Sequence, residues 1–324
     1  MTEPLALVDA LLSGQRRALA KAITLAESAR SDDRIAAQEL LSAVLPHTGN
    51  ARRIGLSGSP GVGKSTFIEA FGSYLIDQGR KVAVLAVDPS STRTGGSILG
   101  DKTRMERLSR DSMAFVRPSP SGGSLGGVAR RTREAMLLCE AAGYDDILIE
   151  TVGVGQSETA VADMVDMFCL LLSPAGGDEL QGIKRGIMEL ADLVIVNKAD
   201  GDMHIAAKRA QGEYRAALHL MRAKFEGWTP RVVLASALQR KGLDGFDGQI
   251  NGFYEHMSAI GGLESLRKDQ AEAWMWSEIH DSLTDGFRAH DDVAQRLAQV
   301  REQVRSGTLP AAQGARQLLE AFGL

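Results

Sequence analysis

Gly58-Ser59-Pro60-Gly61-Val62-Gly63-Lys64-Ser65-Thr66 is the stretch from which the rest of the chain is read. It follows the phosphate-binding pattern G-x-x-x-x-G-K-[ST]. Ile54-Gly55-Leu56 precedes it as an apolar strand, and Phe67, Ile68, Ala70, Phe71, Leu75 and Ile76 follow it at helical spacing. Glycines let such a loop curl until successive N–H groups face inward around a polyphosphate. The positive end of the following helix adds to the attraction. Lys64 is expected on the β- and γ-phosphates, and the Ser65 hydroxyl on Mg²⁺. A glycine-rich turn that happens to hold a lysine is the plain alternative, and the strand–loop–helix context argues against it.

Outward from this loop, residues 51–250 alternate strand and helix, which predicts a doubly wound α/β domain with a mainly parallel sheet. The expected strands are Ile54–Leu56, Val82–Val87, Ala114–Val116, Ile147–Ile149, Met167–Leu172, Leu193–Val196 and Val232–Ala235, with helices near 64–78, 126–142, 180–191 and 203–225. Ligands of such sheets bind at the carboxyl ends of the strands. There the chain places Asp88, then Asp101 at the end of a Gly-rich loop, and Glu150 after Ile147–Ile149. Each carboxylate is expected on the magnesium or its waters. A turn-forming Asp-Pro pair and a solvated loop glutamate are the plain readings of Asp88 and Glu150. Gly153 is expected to offer its N–H to a γ-phosphate from a loop that can approach and leave.

After Leu193–Val196 comes Asn197-Lys198-Ala199-Asp200, an N-K-x-D box. Guanine presents N1–H and a 2-amino group, and one carboxylate accepts from both. Adenine lacks that pair, so Asp200 is expected to select GTP over ATP. The Lys198 stem is expected over the base, and Asn197 to tie the box to the phosphate loop. Ser236-Ala237, after Val232–Ala235, is expected to give a backbone N–H to guanine O6.

Composition sets limits. The 324 residues suffice for one large α/β domain with extensions, or for two domains, and 44% hydrophobic with 24% charged residues is ordinary for a globular chain. A net charge of −4 supplies no basic field for nucleic acid. Cys139 and Cys169 show no metal or redox spacing, which fits a reducing cytoplasm and buried thiols. The start Met1-Thr2-Glu3-Pro4 does not resemble a signal peptide, and no apolar run reaches the roughly 20 residues that span a bilayer. An organelle's mature protein would read the same way. The six histidines are scattered and are read as surface or core residues.

Together these motifs resemble the MeaB/ArgK family of GTPases, chaperones of methylmalonyl-CoA mutase and related cobalamin-dependent mutases. The resemblance is strongest in Gly58–Thr66, 87–91, 150–158, 176–184 and Asn197–Asp200. It implies a SIMIBI-type P-loop GTPase that hydrolyses GTP to GDP and phosphate with Mg²⁺. Its nucleotide state would gate adenosylcobalamin loading and help release damaged cofactor in an acyl-CoA mutase. It also implies a homodimer with a C-terminal arm, and no nucleic-acid or membrane partner is expected. The stretch Gly176–Lys184 is a third switch by resemblance, with Gln181 or Lys184 expected to stabilise transferring phosphate charge when the partner binds. A nickel metallochaperone GTPase and a P-loop kinase are the alternatives. The first wants clustered Cys or His ligands, and the second an acceptor pocket and usually no N-K-x-D box.

The expected organisation is an N-terminal helical extension (1–50), a GTPase domain (51–262) and a C-terminal helical arm (263–324). In the first, Leu5–Leu12, Ala18–Leu25 and Ile35–Leu45 are amphipathic. Ser121–Gly127 is a second Gly-rich loop opening a helix. In the arm, Trp274 and Trp276 are expected to pack, and Val293, Leu297, Val300 and Val304 form a short apolar seam. That seam either packs on its own domain or is exchanged with a second copy.

Overall fold

The computed structural model describes residues 4–28, 30–87, 105–118, 125–151, 157–174 and 185–324. It divides into two compact units, Met1–Gln270 and Ala271–Leu324.

In the first unit, helices α1 (Pro4–Leu12), α2 (Arg16–Glu27) and α3 (Ser31–Val44) precede strand β1 (Arg52–Gly58). Next come α4 (Lys64–Asp77), β2 (Val82–Val87), α5 (Glu106–Arg110), β3 (Ala114–Arg117), α6 (Leu125–Ala141), β4 (Asp146–Thr151) and α7 (Ser157–Ala162). The remainder is β5 (Met167–Leu172), α8 (Arg185–Leu190), β6 (Leu193–Val196), α9 (His204–His219), β7 (Arg231–Leu234), α10 (Leu243–Ala259) and α11 (Gly262–Ala289), within which the division falls. Among the described residues the strands form one sheet in the order β3-β2-β4-β1-β5-β6-β7, every pair parallel. Central strands are buried on both faces because helices cover both, which is why they read as unbroken apolar runs.

Alternation sorts the core. Ile54, Leu56 and Leu148 face Phe67 and Phe71 of α4 and Phe246, Ile250 and Phe253 of α10. Leu170, Leu172, Val194 and Val196 face Ala207, Tyr214 and Leu218 of α9 on the other side. The helix expected over 203–225 stops at His219 because tertiary bonds claim the residues beyond it. Lys224 Nζ lies 3.3 Å from Asp192 Oδ2, and Trp228 Nε1 donates to the Asp192 carbonyl at 3.1 Å. Contrary to the amphipathic reading, Ile35 and Leu45 are exposed.

The sheet end remote from the phosphate loop is held by buried ion pairs. Arg52 meets Asp146 at 2.7 Å and Asp247 at 2.9 Å, and Arg53 meets Glu140 at 2.8 Å. Arg267 of α11 donates to both Asp166 oxygens, at 2.8 and 2.7 Å, and to the carbonyls of Gly49 and Ala51.

In the second unit, α12 (Asp291–Arg305) and α13 (Ala311–Phe322) form a helical hairpin. Val293, Val300 and Leu318 are its buried centre, bordered by Phe287, Leu297, Val304, Leu309 and Phe322. A Cβ on Gly314 would lie 2.9 Å from Val304 Cγ2, so a small residue lets the helices close. The 293–304 seam is therefore packed within its own chain. Trp276 departs from expectation: it is 52% exposed, as are Met275 (51%) and Leu283 (60%).

Candidate functional site

β1 delivers the chain to the phosphate loop at Gly58. A Cβ there would sit 2.4 Å from the Leu171 carbonyl oxygen of β5, so only glycine lets the strand pair close at the loop's root. Gly63, at φ 93°, turns the chain into α4, and a Cβ on it would meet Asn197 Nδ2 at 2.9 Å. Lys64 folds back over the loop, donating to Gly58 O at 2.6 Å and Ser59 O at 3.4 Å. One turn of loop is closed by Val62 N–H donating to Ser59 O at 3.3 Å. The nine residues Gly58 to Thr66 thus form a strand–loop–helix cradle with main-chain amides at the mouth of a helix.

Glu150 lies at the carboxyl end of β4, beside Leu56 of β1 in register. Its Oε1 accepts from Ser65 Oγ at 2.9 Å. A serine hydroxyl and a carboxylate held together at the phosphate mouth are hard oxygen donors, and they fit Mg²⁺. Asp88, Asp101, Gly153, Gln181 and Lys184 lie outside the described residues.

The base box is joined to this cradle by one side chain. Asn197, 1% exposed, donates from Nδ2 to Val62 O at 3.0 Å and accepts at Oδ1 from Ala237 N–H at 3.1 Å. Lys198, at φ 60°, sends Nζ to Gly61 O at 2.7 Å. Ala199 N–H donates to Ala235 O at 3.0 Å, joining the box to the end of β7. A cavity of about 450 Å³ opens between them, lined among others by Ala199, Asp200, His204, Ser236, Gln239 and Lys241.

Sequence reasoning missed the wall of this cavity. Ser236 and Lys241 exchange backbone bonds at 3.0 Å each, and Gly242 (φ 74°) approaches Leu234 O so closely that a Cβ would lie 2.3 Å from it. The one signal available was that glycine, just ahead of α10. The turn also commits the amides of the Ser-Ala pair: Ser236 N–H goes to Lys241 O and Ala237 N–H to Asn197 Oδ1. Gln239 N–H goes to Ser236 Oγ at 3.1 Å and Arg240 N–H to Ala237 O at 3.3 Å. Among the described residues, the amide of this turn with no protein acceptor is that of Leu238.

Cys139 and Cys169 are fully buried, and burial pushes both thiols well above their ordinary range, which keeps them protonated and unreactive. Among the described residues no helix is long and apolar enough to cross a membrane.

Known proteins are similar to this chain. A family model described as methylmalonyl Co-A mutase-associated GTPase MeaB matches residues 19–292. A putative GTPase of Caulobacter vibrioides is 57% identical, over 97% of this chain and 96% of its own. The mouse protein named methylmalonic aciduria type A homolog, mitochondrial, is 51% identical over 98% of this chain and 79% of its own. GTPase ArgK of Escherichia coli is 49% identical over 96% of this chain and 94% of its own. A solved structure described as a LAO/AO transport system kinase superposes with a TM-score of 0.79 at 41% identity, covering 100% of this chain and 99% of that one. Cradle, magnesium-type oxygens, base box and these relatives agree: the chain belongs to the MeaB family of P-loop GTPases and is a GTP hydrolase.

Proposed function

We propose that this GTPase acts on a cobalamin-dependent acyl-CoA mutase, methylmalonyl-CoA mutase or a relative, and that its nucleotide state gates adenosylcobalamin loading, protection and reactivation there. The observation that carries the reading is the match over residues 19–292 to a family described by its association with methylmalonyl-CoA mutase. The mouse relative, named for methylmalonic aciduria, supports it.

In this reading Asp200 accepts from the two guanine donors, and the Leu238 N–H, rather than one of the Ser236-Ala237 pair, meets O6. Lys64 leaves Gly58 O for the phosphates. Ser65 and Glu150, with Asp88 and Asp101, would hold Mg²⁺, which would supply neutralisation of the phosphate charge. Water is the nucleophile, so the protein positions and neutralises rather than forming a covalent intermediate. Gly153 meets the γ-phosphate, and Gln181 or Lys184 enters when the client binds. The chain works in the cytoplasm, as a homodimer. The dimer is favoured by Met275, Trp276, Ile279 and Leu283, which lie along one helix and are 51%, 52%, 37% and 60% exposed. With the 293–304 seam packed internally, that row is an apolar surface open to a second copy.

The test is GTP hydrolysis with and without purified candidate mutases, with ATP as control. Stimulation by one mutase and inertness toward ATP are expected. Equal turnover of ATP, or indifference to every mutase, would reject the proposal. Sedimentation of the full chain carrying Trp276→Glu and Leu283→Glu checks the dimer: a persistent dimer counts against the helix row.

A further inference from the structure

The ladder between β1 and β4 runs from Arg52↔Asp146 to Leu56↔Glu150 and stops there. Beyond it the strands part. Ser57 and Gly58 go on with Leu170 and Leu171 of β5, while Thr151 goes on with Val87 of β2. One position past the last backbone rung, Thr151 Oγ1 donates to Ser57 Oγ at 2.9 Å. Both residues are 0% exposed.

Neighbouring residues on a strand face opposite sides of the sheet. Glu150 grips the α4 side, through Ser65 Oγ, and Thr151 grips the other side, through Ser57. Ser57 is the residue before Gly58, where the phosphate loop begins. The pair therefore lies between the root of the phosphate cradle and the strand that carries the magnesium-type carboxylate. Packing does not need it: replacing both members of a buried hydrogen bond by apolar groups of the same shape is close to neutral for stability. What the pair adds is a directional bond across the split.

We propose that the Ser57–Thr151 hydroxyl pair is a side-chain rung that fixes the separation of the phosphate-loop strand and the Glu150 strand for GTP hydrolysis. Both are positioning residues; neither touches the nucleotide. Sub-ångström placement matters in phosphoryl transfer because the protein supplies little besides position and charge.

The decisive variant is the full-length double substitution Ser57→Ala with Thr151→Val, beside Thr151→Ser alone. Single-turnover GTP hydrolysis, fluorescent-GDP affinity and the melting midpoint are measured on each. The double variant is expected to keep its midpoint and its GDP affinity, the latter to within about twofold, while hydrolysis slows about tenfold. Thr151→Ser, which keeps the hydroxyl, is expected to hydrolyse at close to the parent rate. If the double variant hydrolyses GTP like the parent, the rung plays no part in the reaction. Should Thr151→Ser be as slow as the double variant, the methyl group and not the bond is what counts, and the proposal falls. A loss of GDP affinity equal to the loss of rate would also overturn it, by making the pair part of the binding site.

Discussion

Asp192→Asn should remove a pH-dependent weakness of the fold, and its size follows from where the carboxylate sits. Asp192 is 0% exposed at the base of β6. Its Oδ2 accepts from Phe168 N–H at 2.8 Å and lies 3.3 Å from Lys224 Nζ, and among the described residues Oδ1 has no hydrogen-bond partner. Burial pushes the carboxyl from its ordinary 3.8 up to about 6, against the pull of Lys224 and the Phe168 amide. Between those values the folded chain binds a proton that the unfolded chain has released. The stability tied to that proton is complete below the ordinary value and is lost as pH rises through about 6. At about 1.4 kcal/mol per pH decade, the loss is about 3 kcal/mol. Urea unfolding of parent and Asp192→Asn, from about pH 4 to about pH 8, isolates this group, because every other titration is common to both. The parent is expected to lose about 2.4 kcal/mol relative to the variant across that range, spread evenly between about pH 4 and about pH 6 and levelling off above it. A difference between the two proteins that stays constant with pH would refute the reasoning.

Other predictions concern the nucleotide site and the tail. On the proposed contact of Asp200 with guanine, Asp200→Asn exchanges a charged acceptor for an amide that sets a donor against the guanine N–H groups. Affinity for GTP, by fluorescent-nucleotide competition, should fall about 10²-fold or more, and xanthosine triphosphate should gain what GTP loses. Asn197→Ala strands the buried Val62 carbonyl and Ala237 amide. Calorimetry should show about 2–4 kcal/mol of lost stability, and GDP binding should weaken with it. Arg267→Ala leaves the Asp166 carboxylate without its guanidinium, which costs about 3–5 kcal/mol for a buried pair; a melting midpoint within about 2 °C of the parent would exclude that role.

The sheet was legible because its strands are buried on both faces and so stand out as apolar runs. Met167–Leu172 and Leu193–Val196 lie where those runs lie, and β1 begins ahead of Ile54–Leu56 with Arg52 and Arg53, whose charges are neutralised in the core, and runs past it through Ser57 and Gly58. The cradle and the base box were legible because their chemistry demands particular residues in a row. Contacts that join distant positions left no such trace. Nothing in the sequence links Lys224 to Asp192, Arg267 to Asp166, or Ser57 to Thr151; the strand order that unites them emerges only on folding. Lys198 shows the same limit. Its place in the box was plain, but not that its ammonium reaches the carbonyl of Gly61.

Asn197 has one more consequence. A single carboxamide spans from Val62 to Ala237, and so makes the phosphate end and the base end of the site one object of set length. With GTP bound as proposed above, it is a ruler laid along the nucleotide. Two fragments that each cover half the ruler, guanosine at one end and inorganic pyrophosphate at the other, then share the work of ordering it, so each should bind more tightly when the other is present.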